Sequence, residues 1–335
     1  MLRIAVLGCG RIGRMHAANI AAHPRAKLAT VFDTHQPSAD EVAARHRVDA
    51  AVSVDAIFAS ADVDAVLIAT TTDTHADYIE RAVAAGKPML CEKPIDLSLA
   101  RVNACAERIK GARVAIQLGF NRRFDPGHLA AREAVRAGEI GTLHQVIITS
   151  RDPAPAPRAY LEVSGGIFRD MAIHDFDLAR FLLGEEPEEV FASGSRLIEP
   201  AMMQEIGDYD TAMIVLRTAS GKQCHINNSR KAVYGYDQRV ELFGDAGMVI
   251  SGNRKPHELA RFSAAATGAA APFLNFFIER YRESYEAEIS AFVDCVERST
   301  PPEVGFEDGR KALVLAEAAI KSAAEGRVVN VGEIG

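Results

Sequence analysis

The sequence lacks tryptophan, has few cysteines and contains no long apolar run. Because no apolar stretch reaches the roughly 18 residues that a membrane helix needs, we expect no membrane span. The first residues predict a strand and a glycine-rich turn instead of a signal peptide, so we expect a cytoplasmic protein. The cysteines are odd in number and form no C-x-x-C, which predicts reduced thiols in or near the core at Cys9, Cys91, Cys105, Cys224 and Cys295.

The chain also lacks an excess of basic residues. Its 38 Lys and Arg against 45 Asp and Glu give a net charge of -7. Since binding along a nucleic-acid backbone needs a basic surface, this charge argues against a nucleic-acid partner. The 335 residues, 48% hydrophobic and 25% charged, suffice for two globular domains, each with its own core.

Short apolar strands alternate with amphipathic helices up to about residue 120, which is typical of a parallel sheet flanked by helices. The predicted strands are Leu2–Leu7, Lys27–Phe32, Ala65–Thr70, Pro88–Cys91 and Val114–Gly119. Beyond them the pattern changes to a series of strands at short spacing, which predicts an antiparallel sheet of five or six strands. The longer helices predicted in this part are His128–Ala137, Met171–Leu183, Phe276–Arg298 and Asp308–Ala324.

Gly8–Gly13 forms a G-x-G-x-x-G turn between the first predicted strand and a helix that begins near Arg11. Glycines there let the chain turn tightly and let a pyrophosphate approach the backbone at the helix N-terminus. The second strand ends at Asp33, whose carboxylate can bind both ribose hydroxyls and would repel a 2′-phosphate. Because no basic residue follows directly, the sequence favours NAD over NADP. A nucleotide-free turn, a flavin site and an S-adenosylmethionine site remain alternatives.

Two further motifs carry side chains suited to proton transfer. Lys93 follows a predicted parallel strand at the edge where open α/β sheets bind ligands, and its ammonium group can stabilise charge on a reacting hydroxyl. Asp170 and His174 share a helical face, so the carboxylate can orient the imidazole as a general base. Asp175 and Asp177 are also near in sequence, so this pairing is not unique. A solvated loop lysine and a core histidine near a helix acid are the structural alternatives.

The sequence offers no second histidine at ligand spacing, and we therefore expect no metal centre.

Together these motifs resemble the Gfo/Idh/MocA family, whose name stands for glucose–fructose oxidoreductase, inositol dehydrogenase and rhizopine catabolism. The resemblance extends over nearly the whole chain. It depends on Gly8–Gly13, Asp33, Glu92-Lys93-Pro94, Asp170 and His174, and the stretches most similar to the inositol-oxidising branch are Gly119–Asp125 and Tyr234–Asp237.

This resemblance implies an α/β fold with two domains. Residues 1–120 would form an NAD-binding Rossmann domain. Residues 121–335 would form an α+β domain with a large, mostly antiparallel open sheet for substrate binding and oligomerisation. The chain would act as a homo-oligomer, a dimer or a homotetramer, joined through that sheet.

The resemblance also implies which residues act. His174 would remove the hydroxyl proton, Asp170 would orient His174, and Lys93 would polarise the oxygen. The implied NAD-binding residues are Gly8, Gly10, Arg11, Ile12, Gly13, Asp33, Thr71, His75, Glu92 and Lys93. The implied substrate-binding residues are Lys93, Arg122, Asp152, Asp170, His174 and Tyr236.

The reaction implied is NAD-dependent oxidation of a secondary hydroxyl of a cyclic polyol, with myo-inositol giving 2-keto-myo-inositol. Another polyol or an aldose, such as scyllo-inositol or glucose, is the alternative substrate. A non-catalytic dinucleotide-binding regulator is the alternative from a different class. Arg122 and Arg123 could bind an anionic substrate instead, and we expect Asp125 and Asp152 to offset their charge.

Overall fold

The computed structural model describes residues 1–334, which form two compact units. The first unit contains Met1–Asn121 and Glu283–Leu313, and the second contains Arg122–Arg282 and the chain from Val314 onward. The sequence placed residues 121–335 in one domain, whereas the structure groups residues 283–313 with the first unit.

The first unit is built on a six-stranded sheet. Its strands are β1 (Leu2–Leu7), β2 (Ala26–Phe32), β3 (Asp49–Ala50), β4 (Ala65–Ile68), β5 (Met89–Cys91) and β6 (Ile116–Leu118). All are parallel, in the order β3-β2-β1-β4-β5-β6, which is the order of a doubly wound dinucleotide-binding sheet. The predicted Rossmann domain is therefore confirmed. The connecting helices are α1 (Arg11–Ala22), α2 (Gln36–His46), α3 (Val54–Ala59), α4 (His75–Ala84) and α5 (Leu99–Arg108).

The second unit is built around a larger mixed sheet. The strands of this sheet are β7 (Leu143–Arg151), β8 (Pro187–Ser195), β9 (Thr211–Thr218), β10 (Gln223–Ser229), β11 (Asp237–Gly244), β12 (Gly247–Ser251) and β15 (Val329–Asn330). Two short strands, β13 (Ala260–Arg261) and β14 (Ala269–Ala270), form a separate pair. The sheet order is β12-β11-β7-β10-β9-β8-β15, and only β7 and β10 are parallel neighbours. The mostly antiparallel sheet is confirmed, with seven strands where five or six were predicted.

Six helices of the second unit precede the two long C-terminal helices. They are α6 (Pro126–Arg136), α7 (Arg158–Leu161), α8 (Gly166–Asp170), α9 (Ala172–Leu183), α10 (Pro200–Glu205) and α11 (Phe277–Arg280), and the long ones are α12 (Arg282–Arg298) and α13 (Phe306–Glu325). The prediction of one helix over Phe276–Arg298 was wrong, because the chain leaves the helix at Tyr281. Arg280 and Tyr281 are both buried, and Arg280 pairs with Asp125, which fixes this break by side-chain contacts.

Helix α12 completes the core of the first unit. Its Ile289, Phe292 and Val293 are fully buried in one apolar cluster with residues of β1, β2, α1 and α2. This packing explains why a segment so late in the sequence belongs to the first unit.

All five cysteines are buried and free, as the sequence predicted. Among the described residues, none of the helices combines the length and the apolar character that crossing a bilayer requires.

Candidate active site

The glycine-rich turn lies between β1 and α1, and two of its glycines are required by close contacts. Gly8 has a positive φ of 97°, and a Cβ there would stand 2.3 Å from the carbonyl oxygen of Ala69. A Cβ on Gly13 would stand 1.9 Å from the oxygen of Gly8. Around the corresponding point on Gly10, no described heavy atom lies within 4 Å. The turn is thus closed on one side and open at the first turn of α1, where a phosphate can approach the helix N-terminus.

Asp33 follows β2 directly and is held against this turn. Its Oδ2 accepts a hydrogen bond from the amide of Cys9 at 2.7 Å, and its Oδ1 accepts one from the amide of His35 at 2.7 Å. Arg11 and Ile12 form the first turn of α1, with Arg11 exposed. The structure therefore brings these predicted cofactor residues together at one end of the sheet.

His75 begins α4 and is buried between two loops. Its Nδ1 lies 2.8 Å from the carbonyl oxygen of Pro94, and its Nε2 lies 3.1 Å from that of Thr70. Burial lowers the pKa of His75, and the hydrogen bonds to the two carbonyl oxygens oppose this shift. His75 therefore ties the loop after β4, which includes Thr71, to the loop after Lys93.

Glu92 follows β5, and its carboxylate contacts α1 of the same unit. Its Oε1 lies 2.8 Å from Nε2 of His16, and a Cβ on Gly119 would stand 2.9 Å from its Oε2. Lys93 comes next in the chain and is half-buried. The backbone before Lys93 is thus held by the pairing of Glu92 with His16 and by the close approach of Gly119.

In the second unit, Asp170 lies at the end of α8 within a charged network. Its Oδ1 accepts a hydrogen bond from the hydroxyl of Tyr160 at 2.7 Å, and its Oδ2 lies 3.5 Å from Nη1 of Arg230. Nη2 of the buried Arg230 lies 3.2 Å from Oδ2 of Asp208. Asp208 in turn accepts the amide of Ile167 in α8. Asp170 is therefore held by Tyr160, 10 residues earlier in the chain, and by Arg230, 60 residues later.

His174 lies in the first turn of α9 and is half-buried. The predicted helix Met171–Leu183 corresponds to α9, which begins at Ala172, and Asp170 is the last residue of the short preceding helix α8. The residue between them, Met171, has a φ of -88° and a ψ of -57°. Orientation of His174 by Asp170 stays a prediction.

Asp152 follows β7 and lies in the electrostatic field of the same network. Burial raises the pKa of its carboxyl to about 6, with Asp170 adding to the rise and Arg230 opposing it. Tyr236 is also buried, packs edge-to-face on Tyr281 at a centroid distance of 6.2 Å, and has a raised pKa because of its burial.

Two buried arginine pairs follow the start of the second unit. Arg122 pairs with Asp175, which also accepts a hydrogen bond from Asn228 at 2.8 Å. Arg123 forms two hydrogen bonds with Asp177, at 2.8 and 2.6 Å. These pairs give Asp175 and Asp177 arginine partners of their own.

The expectation that Asp125 offsets these arginines was wrong, whereas Asp152 does interact with Arg122, whose charge lowers the pKa of Asp152. Asp125 pairs with Arg280 at 2.6 Å and caps α6 by accepting the amides of Gly127 and His128. The direct ion-pair partners of the two arginines are the α9 acids Asp175 and Asp177.

Sequence reasoning missed Tyr160 and Arg230. Tyr160 follows a proline-rich loop and Arg230 follows β10, and neither position has a local pattern that points to Asp170. The one available signal concerned Tyr160, which follows the proline-rich loop that carries the predicted substrate residue Asp152.

The sequence matches two family models. Residues 2–120 match the GFO_IDH_MocA oxidoreductase family with an NAD-binding Rossmann fold, and residues 128–250 match the GFO/IDH/MocA C-terminal domain.

Known proteins resemble the chain over its whole length. An inositol 2-dehydrogenase of Rhizobium meliloti is 46% identical over 333 residues, covering 98% of this chain and 99% of that protein. The crystal structure of a myo-inositol dehydrogenase from Corynebacterium glutamicum has a TM-score of 0.95 at 45% identity over 98% of both chains. That of a scyllo-inositol dehydrogenase from Lactobacillus casei, with NAD(H) and scyllo-inositol bound, has a TM-score of 0.91 at 28% identity over 99% of both chains.

Proposed function

The chain belongs to the Gfo/Idh/MocA oxidoreductase family, and from this premise we propose that it oxidises one secondary hydroxyl of myo-inositol with NAD, giving 2-keto-myo-inositol. The observation that carries the choice of an uncharged polyol is the pairing of Arg122 with Asp175 and of Arg123 with Asp177. An anionic substrate would favour a site dominated by uncompensated cations. Asp152, Asp170 and Tyr236 instead supply both acceptors and donors, which suits a ring of hydroxyls.

The residues of the first unit fit NAD. The open space at Gly10 and the N-terminus of α1 suit a pyrophosphate, and the anchored carboxylate of Asp33 suits two ribose hydroxyls. When bound, NAD supplies the hydride acceptor.

We assign Lys93, Asp170 and His174 as the catalytic residues. In this proposal His174 takes the hydroxyl proton, Asp170 orients the imidazole, and Lys93 donates a hydrogen bond to the reacting oxygen. Loss of the proton and of the hydride leaves the ketone. The contacts of Asp170 with Tyr160 and Arg230 support a fixed carboxylate at this position. Arg122, Asp152 and Tyr236 are the proposed substrate-binding residues, and Thr71, His75 and Glu92 the proposed cofactor-binding ones.

The decisive experiment is initial-rate kinetics followed by NADH absorbance, with myo-inositol, scyllo-inositol, glucose, glucose 6-phosphate and a 2-hydroxy acid. We expect the highest kcat/KM for myo-inositol. The resemblance to the scyllo-inositol enzyme makes scyllo-inositol the second candidate. A preference for the phosphorylated sugar or the acid would refute the polyol substrate, and NADH binding without turnover of any compound would favour a regulator.

Variants then test the assigned residues. Lys93→Ala and His174→Ala should each lower kcat by ~10²-fold or more, the usual worth of a positioned acid–base group. NADH affinity measured by fluorescence should change little in His174→Ala. The exposed His257 serves as the control, since His257→Ala removes an imidazole of the same unit outside the proposed site. Normal turnover of His174→Ala would show that this histidine is structural.

We also propose that the chain forms a homo-oligomer, a homotetramer or a dimer, through its mixed sheet. One face of this sheet carries large exposed apolar side chains, in register across several strands. They are Phe191, Met213, Val215, Phe243, Met248 and Ile250, each at least 41% exposed. Exposed apolar side chains gathered on one face of a sheet are typical of an interface between proteins.

A cytoplasmic location is likewise proposed, and the five free, buried cysteines support a reducing compartment.

A further inference from the structure

A cluster of polar side chains is buried inside the first unit, behind the backbone that carries Lys93. It contains His16 of α1, Glu92 after β5, Gln117 of β6 and Glu288 of α12. His16, Gln117 and Glu288 are 0% exposed. Within the part of the chain that the structure describes, Nδ1 of His16, Oε1 of Gln117 and both carboxylate oxygens of Glu288 have no hydrogen-bond partner. Buried polar atoms are nearly always satisfied, so something absent from the protein atoms completes this cluster.

The spacing of these groups fits one water molecule. One carboxylate oxygen of Glu288, one of Glu92 and a ring nitrogen of His16 all lie within 4.8 Å of one another. His16 and Glu92 bond directly at 2.8 Å, whereas Glu288 bonds to neither. Two hydrogen bonds of about 2.8 Å that meet at a water oxygen span roughly 4.5 Å. A bridging water can therefore join Glu288 to the pair.

The charges around Glu288 favour its neutral form. Glu92 faces it with a second carboxylate, His16 faces it from α1, and Gln117 of β6 offers an uncharged amide whose nitrogen binds the backbone oxygen of Glu288 at 3.1 Å. Tyr285, one turn earlier on α12, packs edge-to-face on His16 at 5.7 Å. Burial, and then the charge of Glu92, raise the pKa of Glu288 well above its ordinary value. A protonated carboxyl can donate the hydrogen bond that an ionised one cannot.

We propose that Glu288 is a positioning residue: as a neutral acid it binds a buried water that also binds Glu92, and it thereby fixes the backbone that presents Lys93. Glu92 is then held on three sides, by His16, by Gly119 and by this water. The effect on Lys93 rests on the proposed function, whereas the protonation of Glu288 and the water do not.

The first experiment compares Glu288→Gln with Glu288→Met. Glutamine is neutral and can donate to the same water, so its kcat should stay within about 3-fold of the original. Methionine fills the space without a donor, so Glu92 should shift and kcat should fall ~10-fold or more, because small misplacements of reacting groups are costly. Ile289→Val is the control, since it loosens the apolar side of α12 and should leave kcat unchanged.

A second measurement does not depend on turnover. The infrared difference spectrum between the original protein and Glu288→Gln at neutral pH should contain the C=O stretching band of a protonated carboxyl. Metal analysis of the purified protein accompanies it, because a divalent cation bound by these three side chains is the competing occupant.

The results of these experiments either support or overturn the proposed role of Glu288. Rescue by glutamine but not by methionine, together with the carboxyl band, supports the proposal. Equal losses in both variants, an ionised carboxylate band, or one tightly bound metal ion per chain that Glu288→Gln loses would overturn it, as would a normal kcat in Glu288→Met. If the original protein turns over no polyol, the proposed function fails, and the infrared band still tests the protonation.

Discussion

At the scale of single residues, we expect the carboxylate of Asp33 to decide the choice between NAD and NADP. It is anchored by two backbone amides beside the open side of the glycine-rich turn. A 2′-phosphate there would meet like-charge repulsion and replace a bidentate hydrogen bond, a loss on the order of several kcal/mol. We therefore expect kcat/KM to be far higher with NAD than with NADP, measured at saturating polyol.

The double variant Asp33→Ser, Thr34→Arg should narrow this gap by removing the negative charge and adding a positive one. Similar kcat/KM values for the two nucleotides in the original protein would contradict this role of Asp33.

A second residue, Asp152, couples stability to pH. Its pKa is raised to about 6 by burial, from an unfolded value near 3.9. The folded state therefore holds the proton more tightly, so the contribution of Asp152 to stability is largest below pH ~4 and is lost as the pH rises through about 6. By linkage the ionised form costs roughly 2–3 kcal/mol at neutral pH.

Asp152→Asn should remove this cost. The variant should gain stability over the original protein between pH 4 and 7, in urea unfolding at a series of pH values. A difference that is constant across this range would mean that Asp152 does not titrate there.

At the scale of elements, α6 depends on one buried aspartate. Asp125 caps its N-terminus and pairs with the buried Arg280. Asp125→Ala removes the cap and leaves a buried cation without its partner, which should cost about 3–5 kcal/mol. Asp125→Asn keeps an acceptor for the cap, so its stability should lie between that of the original protein and that of Asp125→Ala. Urea unfolding measures both, and equal stability of the alanine variant would show that the pair contributes nothing.

Elements with a strong local pattern were predictable from the sequence. Strand β1 has the predicted bounds Leu2–Leu7, and α1 begins at the predicted Arg11, because a short apolar run and the glycine turn are local signals. The two-residue strand β15 is too short to show an alternation of apolar and polar residues in the sequence. The break at Tyr281 depends on Asp125, which is far away in sequence.

The residues of the candidate site also differ in how far the sequence could predict them. The glycine turn and Asp33 follow from residues close together in the chain. The partners of Asp170 do not, since Arg230 lies 60 positions away and is brought near by the fold of the second unit. Glu288 was missed for the same reason, because its neighbours come from three other elements.

At the scale of the whole molecule, the apolar face of the mixed sheet predicts self-association. Val215 lies on this face in β9, opposite Phe191 of β8. Val215→Asp should therefore break the oligomer, which light scattering after size-exclusion chromatography would show as a smaller mass. Val52→Asp is the matched control on an exposed valine of the first unit. An unchanged mass in Val215→Asp would exclude this face as the interface.

The late segment of the first unit also has a consequence for synthesis on the ribosome. The dinucleotide-binding half is translated first, yet Ile289, Phe292 and Val293 emerge only near the end. Until then, the apolar surface of β1, β2 and α1 that these side chains cover has nothing to pack on it. The nascent first half therefore stays incompletely packed, and accessible to chaperones and proteases, while the second unit is being translated. The earliest residues of this chain are therefore among the last to reach their finished environment.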